Sequence, residues 1–169
     1  MPDPITISRK WVLDFVIRLQ LCPFAASPFQ RNKIRFICSK ATDASEIIAE
    51  LLMEITQLEQ PNSPQTSLLI VPHLLHDFHD YLDLFHFAED FLADRGWAES
   101  YQLASFHPDY VFAESPQDDP ANATNRSPYP MFHILRCDDV EKARLSYPDI
   151  LSIPQRNIAL LRSLAQEKE

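Results

Sequence analysis

The chain has 169 residues, 46% of them hydrophobic and 23% charged, which is the composition of a soluble domain large enough to bury a core. Its formal net charge is -9, with 15 basic against 24 acidic residues, and this excess of negative charge disfavours nucleic acids and anionic membranes as partners. No apolar run approaches the length of a membrane span, and no basic segment precedes an apolar one at the N-terminus, so we expect neither a membrane partner nor a signal peptide.

Cysteine and glycine are both sparse. Cys22, Cys38 and Cys137 form no CxxC pair and no disulfide framework, which indicates a reducing compartment, and we expect a cytoplasmic protein. Gly96 is the only glycine, which excludes the glycine-rich phosphate loops of nucleotide sites and the GxSxG turn of hydrolases. No motif indicates a bound cofactor, and we predict none.

Periodicity predicts helices that alternate with strands in the first half of the chain. Ser8 is expected to cap the first helix, and Asp43 with Glu46 forms a variant of the capping box at the start of the second. Apolar residues recur at helical spacing in the helices and alternate with charged residues in the first strand. The predicted elements are a helix over residues 8–21, a strand over 33–39, a helix from residue 43 and a strand over 66–71.

The second half predicts one long helix, two strands and two closing helices. Gly96 is the expected C-cap of the long helix, because glycine readily adopts the left-handed conformation that ends many helices. The predicted elements are a helix over residues 73–95, strands over 98–106 and 131–137, and helices over 138–146 and 154–168.

This order of elements predicts an α/β fold with one globular domain over residues 1–169, in which helices cover a mixed sheet of about four strands. Successive βαβ units favour parallel strands, while a long connection allows the last two strands to pair antiparallel. The alternative is a ferredoxin-like α+β arrangement with an antiparallel sheet, because four strands and interleaved helices can build either.

The connection over residues 107–130 is longer than most loops in compact domains, and loops of this length are usually functional or disordered. Both of its ends are aromatic and contain proline, whereas residues 114–124 are rich in Ser, Pro, Gln, Asp and Ala. We therefore predict a mobile loop at 114–124, between two ordered edges, that can close over a ligand.

His107 and Asp109 are candidate catalytic residues at the start of this connection. A carboxylate near an imidazole orients the ring and raises its pKa, which suits a general acid or base. The alternative is that His107 bonds a backbone carbonyl and only ends the strand. Cys22 is the third candidate, as a neighbour of the reaction or its nucleophile, although a helix C-terminus raises a thiol pKa and buried free cysteines are common.

Residues 125–130, Asn-Arg-Ser-Pro-Tyr-Pro, form the candidate ligand-binding segment, which two prolines stiffen. Arg126 presents a planar fork that matches carboxylate or phosphate, and Asn125 and Ser127 add neutral donors. Tyr129 can close a pocket or donate its hydroxyl. The alternatives are that Arg126 pairs with an internal acid and that Tyr129 packs in the core.

Several histidines lie outside these segments. His133 faces the opposite side of the last strand from its apolar neighbours, and we interpret it as a satisfied buried histidine rather than as a partner of His107. Four potential ligands for zinc, iron or manganese share one face of the long predicted helix, opposite an apolar face, so we expect them to be solvated and predict no metal site. They are His76, His79, Asp83 and His86.

Three segments resemble, in this order, a bacterial family catalogued as domain of unknown function 1415: residues 21–25, 106–110 and 125–130. The resemblance covers nearly the whole chain, and the last motif is the most specific. It implies a compact bacterial cytoplasmic protein, and it brings with it no activity and no catalytic residue.

The candidate residues suit three functions. The first is an enzyme that uses acid/base chemistry on a small anionic metabolite, a carboxylate or a phosphate, held by Arg126. It requires His107, Cys22 and Arg126 to converge on one cavity. The second is a non-catalytic module that binds a small ligand or a protein, and the third is a metal protein.

Overall fold

Four strands form one mixed sheet in the order β1-β2-β4-β3. The strands β1 and β2 are parallel, whereas β4 runs antiparallel to both of its neighbours, β2 and β3. This confirms the predicted mixed sheet, and the parallel pair shows that the antiparallel, ferredoxin-like alternative is wrong. The strands are β1 (Ile34–Cys38), β2 (Thr66–Ile70), β3 (Tyr101–Phe106) and β4 (Met131–Arg136).

The computed structural model describes residues 2–167, and six α-helices lie within that range. The first continues as a π-helical stretch, Val12–Ile17, and 3-10 turns form at Pro120–Asn125 and Ile150–Ser152. None of these helices is both long and apolar enough to cross a membrane. They are α1 (Pro4–Trp11), α2 (Ala26–Gln30), α3 (Ala44–Leu58), α4 (Phe78–Asp94), α5 (Cys137–Ser146) and α6 (Ile153–Gln166).

Two helix ends follow the predicted capping chemistry. The Asp43 side chain accepts a hydrogen bond from the Glu46 backbone N–H at 3.0 Å, which confirms the capping signal. Gly96 follows α4 with a positive φ of 76°. The N–H groups of Gly96 and Trp97 bond the carbonyls of Ala93 and Leu92, the paired bonds of a Schellman motif.

Two helix starts differ from the prediction. The first helix begins at Pro4, because Asp3 accepts bonds from two backbone N–H groups and proline fits the first helical position, and Ser8 lies buried inside the helix. The long helix begins after its N-cap, Asp77, and not at residue 73, since Leu75 has a positive φ of 60° that no α-helix accommodates.

Two further differences concern short or terminal elements. The sequence pattern predicts no helix where α2 lies, because Pro28 within it masks the helical pattern. The last helix was predicted over residues 154–168 and is observed from Ile153 to Gln166, while Lys168 lies outside the described residues.

The helices α3 and α4 cover one face of the sheet. Glu54 of α3 is buried there, and its carboxylate accepts hydrogen bonds from Arg35 Nε at 2.8 Å and Ser67 Oγ at 2.5 Å, which supply the pairing that a buried charge requires. The larger core fills this face and includes Ile47, Ile55, Tyr81, Phe85, Leu69, Phe132 and Ile134.

The N-terminal helix covers the other face of the sheet and is held at its far end by α6. Asn157 Nδ2 donates to the Leu21 carbonyl at 2.8 Å, and the Arg156 guanidinium donates to the Gln20 carbonyl. The core on this face is smaller and consists of Val12, Ile34, Leu68, Ile70 and Met131, with partly buried side chains around them.

Tyr81 joins the layers at the end of the sheet. Its buried hydroxyl donates to the Met131 carbonyl at 2.7 Å and accepts from the Phe106 N–H at 3.0 Å. Burial also raises the pKa of this phenol far above its usual range, so the proton that makes the donated bond stays in place. One hydroxyl from α4 thus ties together the end of β3 and the start of β4.

Replacing Tyr81 by phenylalanine should destabilise the protein by about 1–3 kcal/mol, because a buried N–H and a buried C=O both lose their partner. Urea unfolding of the variant measures this loss. Tyr129→Phe is the control, since the Tyr129 hydroxyl makes no hydrogen bond within the described residues, and it should change the free energy of unfolding little. Equal stability of Tyr81→Phe and wild type would contradict the bridging role.

Candidate functional site

His107 is fully buried inside an aromatic cluster. Its Nε2 lies 2.9 Å from the Leu75 carbonyl, and its Nδ1 accepts the backbone N–H of Asp109 at 3.0 Å. The rings of Phe78 and Tyr81 lie 5.2 Å from the imidazole. Burial lowers the pKa of His107, and this outweighs the upward pull of the Asp109 carboxylate that the sequence suggested. Both ring nitrogens of His107 are therefore hydrogen-bonded to backbone groups.

The candidate ligand-binding segment directs its polar side chains at backbone carbonyls. Asn125 Nδ2 donates to the Ser105 carbonyl at 3.0 Å, and Ser127 Oγ donates to the Tyr129 carbonyl at 2.6 Å. Backbone bonds also join the segment to both sides of His107, since the His107 N–H donates to Asn125 O and the Ser127 N–H donates to His107 O. These contacts brace the end of β3 against the start of β4.

Arg126 holds the long connection together. Its Nε donates to the Tyr110 carbonyl at 3.0 Å and its Nη2 to the Gln117 carbonyl at 2.9 Å. Arg126 also lines an open pocket of about 460 Å³ together with Asp109 and Asp118. Two carboxylates beside one guanidinium make this pocket unfavourable for a carboxylate or phosphate ligand.

The segment over residues 114–124 is anchored at its second half. Asn122 is buried, and its Oδ1 accepts the Phe112 N–H at 3.0 Å. Asp119 pairs with Arg162 of α6 at 2.7 Å, and this guanidinium holds the pKa of the carboxyl at about 2. Mobility of the segment stays a prediction, and a closing motion would have to break these contacts.

A second cavity lies between the sheet and the N-terminal helix and has a volume of about 340 Å³. Ala104 of β3 and His133 of β4 form part of its floor, and Cys22 lies at its wall. The other walls are mostly apolar and include Trp11, Val16, Phe24, Leu68, Phe106, Leu135 and Val140. The structure thus places Cys22 on one cavity, Arg126 and Asp109 on another, and His107 on neither.

His133 is the polar group at the floor of this cavity. The Thr66 hydroxyl donates its single proton to the Ile134 carbonyl at 2.5 Å. In the contact of 2.7 Å between Thr66 Oγ1 and His133 Nε2, the ring N–H must therefore be the donor and the hydroxyl oxygen the acceptor. Burial lowers the pKa of His133 to about 4, so the imidazole is neutral at pH 7 with Nδ1 as its bare nitrogen.

The charged groups at the cavity wall are engaged with the protein. Arg136 Nη2 contacts the carbonyls of Leu58 at 2.5 Å and Pro64 at 2.9 Å and the Ser63 hydroxyl at 2.7 Å. Its Nε lies 3.8 Å from the Asp139 carboxylate, which offsets the charge of the guanidinium. These contacts and the nearby Asp139 carboxylate make Arg136 a weaker partner for an anionic ligand than a free guanidinium would be.

Cys22 keeps accessible surface, yet the protein atoms around its thiol raise the pKa above its ordinary value. A neutral thiol is a poor nucleophile, because the thiolate is the reactive form. The cavity wall therefore presents Cys22 to a ligand as a small polarisable side chain. Its role as a nucleophile stays a prediction, and that role would require a cation beside the sulfur to stabilise the thiolate.

The potential metal ligands on α4 are exposed, as expected, and His76 precedes the helix. Within residues 2–167 no three His, Cys, Asp or Glu side chains come together in a way that would hold a metal ion.

Replacement of His133 should weaken the dependence of stability on pH. A folded pKa of about 4 against 6.5 in the unfolded chain means that the unfolded state binds more protons, so stability falls as pH drops from about 6.5 to about 4. The loss in that window is at most about 3 kcal/mol, from 1.36 kcal/mol per pKa unit. His107 contributes with the same sign, so the difference between wild type and His133→Phe isolates His133.

Urea unfolding at a series of pH values between 4 and 7 measures this difference. His86→Phe is the control, because His86 is exposed on α4, and it should keep the wild-type slope. An unchanged slope in His133→Phe would contradict a neutral, buried imidazole.

Comparison with known proteins gives one result. No curated protein and no solved structure matches the chain significantly. A family model described as "Protein of unknown function (DUF1415)" matches residues 4–169, which is essentially the whole chain. The chain therefore belongs to the DUF1415 family, as its three motifs predicted.

Proposed function

We propose that this protein binds a small, largely apolar molecule in the cavity between its sheet and its N-terminal helix. The observation that carries the proposal is the cavity itself, about 340 Å³ of space with mostly apolar walls inside a small domain. Ligand pockets in proteins have volumes of about 300–1,000 Å³, apolar walls and a few placed polar groups. Among the described residues, His133, Thr66 and Gln102 supply such groups.

The size of the cavity limits the ligand. Benzene fills an apolar cavity of about 150 Å³, so a cavity of about 340 Å³ suits a ligand of roughly two fused rings or a similar aliphatic group. Protein interiors are packed to a density that leaves few voids larger than a water molecule. A space of this size therefore supports a binding role better than a defect of packing.

The contacts favour binding over acid/base catalysis on an anion. The enzyme hypothesis requires His107, Cys22 and Arg126 to share a cavity, and neither of the two cavities described above is lined by more than one of them. Each ring nitrogen of His107 already bonds the backbone, and Arg126 bonds two carbonyls. Catalysis at these residues remains a hypothesis, and the non-catalytic small-ligand module is the function that we propose.

Filling the cavity should abolish binding. Ala104 lies on the strand face that lines the cavity, so Ala104→Phe places a ring in the space, and phenylalanine is well tolerated in strands. With naphthalene as the probe, we expect wild type to bind and Ala104→Phe to bind at least tenfold more weakly. Isothermal titration calorimetry measures both dissociation constants.

Ala93→Phe is the matched control, because Ala93 is exposed on α4, which packs on the opposite face of the sheet. It should bind naphthalene as wild type does. Circular dichroism establishes that both variants are folded. Wild-type affinity in a folded Ala104→Phe variant, or absence of naphthalene binding by wild type, would contradict the proposed function.

A further inference from the structure

We infer that the cavity selects an uncharged alcohol or phenol, whose hydroxyl donates a hydrogen bond to Nδ1 of His133. The inference rests on the proposed function and specifies the chemistry of its ligand. It follows from a chain of three groups, the Ile134 carbonyl, the Thr66 hydroxyl and the His133 ring, that fixes which ring nitrogen carries the proton.

The direction of the hydrogen bonds decides whether His133 offers a donor or an acceptor to a ligand. A hydroxyl has one proton, and the Thr66 proton lies on the Ile134 carbonyl at 2.5 Å, since a carbonyl can only accept. At the contact of 2.7 Å with Thr66 Oγ1, His133 Nε2 must be the donor. In the neutral ring Nδ1 then carries a lone pair and can only accept, so it matches a ligand that donates.

The lone pair at Nδ1 is accessible from the cavity. Within the described part of the chain, Nδ1 makes no hydrogen bond. Two side-chain atoms there are fully buried without a partner, Trp11 Nε1 and Asn157 Oδ1, and Nδ1 is not one of them. His133 as a whole is only partly buried, which leaves part of its ring accessible. His133 lies on β4, between β2 and β3, and lines the cavity, so that surface faces the cavity.

The surroundings favour an uncharged partner. The protonated form of the ring is disfavoured by burial, so His133 offers no positive charge to a carboxylate. Arg136 and Asp139, the charged side chains at the cavity wall, lie close to each other, and Arg136 is further bonded to carbonyls. A charged ligand would lose its hydration in this mostly apolar space and would meet Arg136 only beside the opposite charge of Asp139, whereas an alcohol or phenol loses little and gains the bond to Nδ1.

Four matched probes test the inference at pH 7.5: naphthalene, 2-methoxynaphthalene, 2-naphthol and 2-naphthoate. The ring system is the same in all four, and only the group presented to Nδ1 changes. We expect 2-naphthol to bind about tenfold more tightly than 2-methoxynaphthalene, whose oxygen has no proton, as one net hydrogen bond provides. The charged 2-naphthoate should bind most weakly of the four.

The variant His133→Phe separates the hydroxyl preference from binding itself. It should lose the preference for 2-naphthol over 2-methoxynaphthalene. The readout is the ratio of the two dissociation constants, because a change in the shape of the cavity floor alters the affinity for both probes and leaves their ratio unchanged. If wild type binds naphthalene but does not prefer 2-naphthol, the inference about the hydroxyl is overturned and the proposed function stands. If wild type binds none of the four, the proposed function falls, and the inference with it.

The protonation of the ring can also be observed without a ligand. Nitrogen NMR shifts of the His133 side chain distinguish a nitrogen that carries hydrogen from a bare one. We expect Nε2 to carry the proton and Nδ1 to be bare in wild type. In Thr66→Val, which lacks the acceptor for Nε2, the shifts should move towards a mixture of the two tautomers. A wild-type ring protonated at Nδ1 would overturn the inference.

Discussion

The structure depends on how the two faces of a four-stranded sheet are shielded from water. The helices α3 and α4 fill one face with a continuous apolar core, whereas the N-terminal helix and α5 lie over the other, where the core is smaller. Asn157 and Arg156 of α6 bond the carbonyls of Leu21 and Gln20, at the far end of the N-terminal helix. A cavity of about 340 Å³ lies between the N-terminal helix, α5 and the strand face.

The polar side chains of the long connection serve a different purpose. The segment over residues 125–130 joins two strand ends, and its Asn, Arg and Ser side chains satisfy one carbonyl of β3 and carbonyls of the connection itself. Together with the Tyr81 hydroxyl, these bonds let the chain leave β3 and return to β4 with few unpaired backbone groups. A stiff, polar, proline-containing segment can therefore reflect the needs of the backbone as readily as those of a ligand.

Most of the fold could be predicted from the sequence, because periodicity and capping are local signals. The strands, the mixed sheet and the Gly96 cap follow from them, whereas α2 contains a proline that hides its short helix. The cavity could not be predicted, since it depends on the distance between the N-terminal helix and the sheet. The alternation along β4 placed His133 opposite its apolar neighbours, but only the structure shows that its Nε2 contacts the Thr66 hydroxyl.

We propose above that the space between the sheet and the N-terminal helix is a binding site. Intermolecular nuclear Overhauser effects in a complex with naphthalene test it most directly, because they report which protein protons lie close to the bound probe. We expect contacts from naphthalene to the methyl group of Ala104 and to the ring protons of His133 and Trp11, which line the cavity. Contacts confined to exposed apolar side chains such as Phe87 or Leu151 would contradict it.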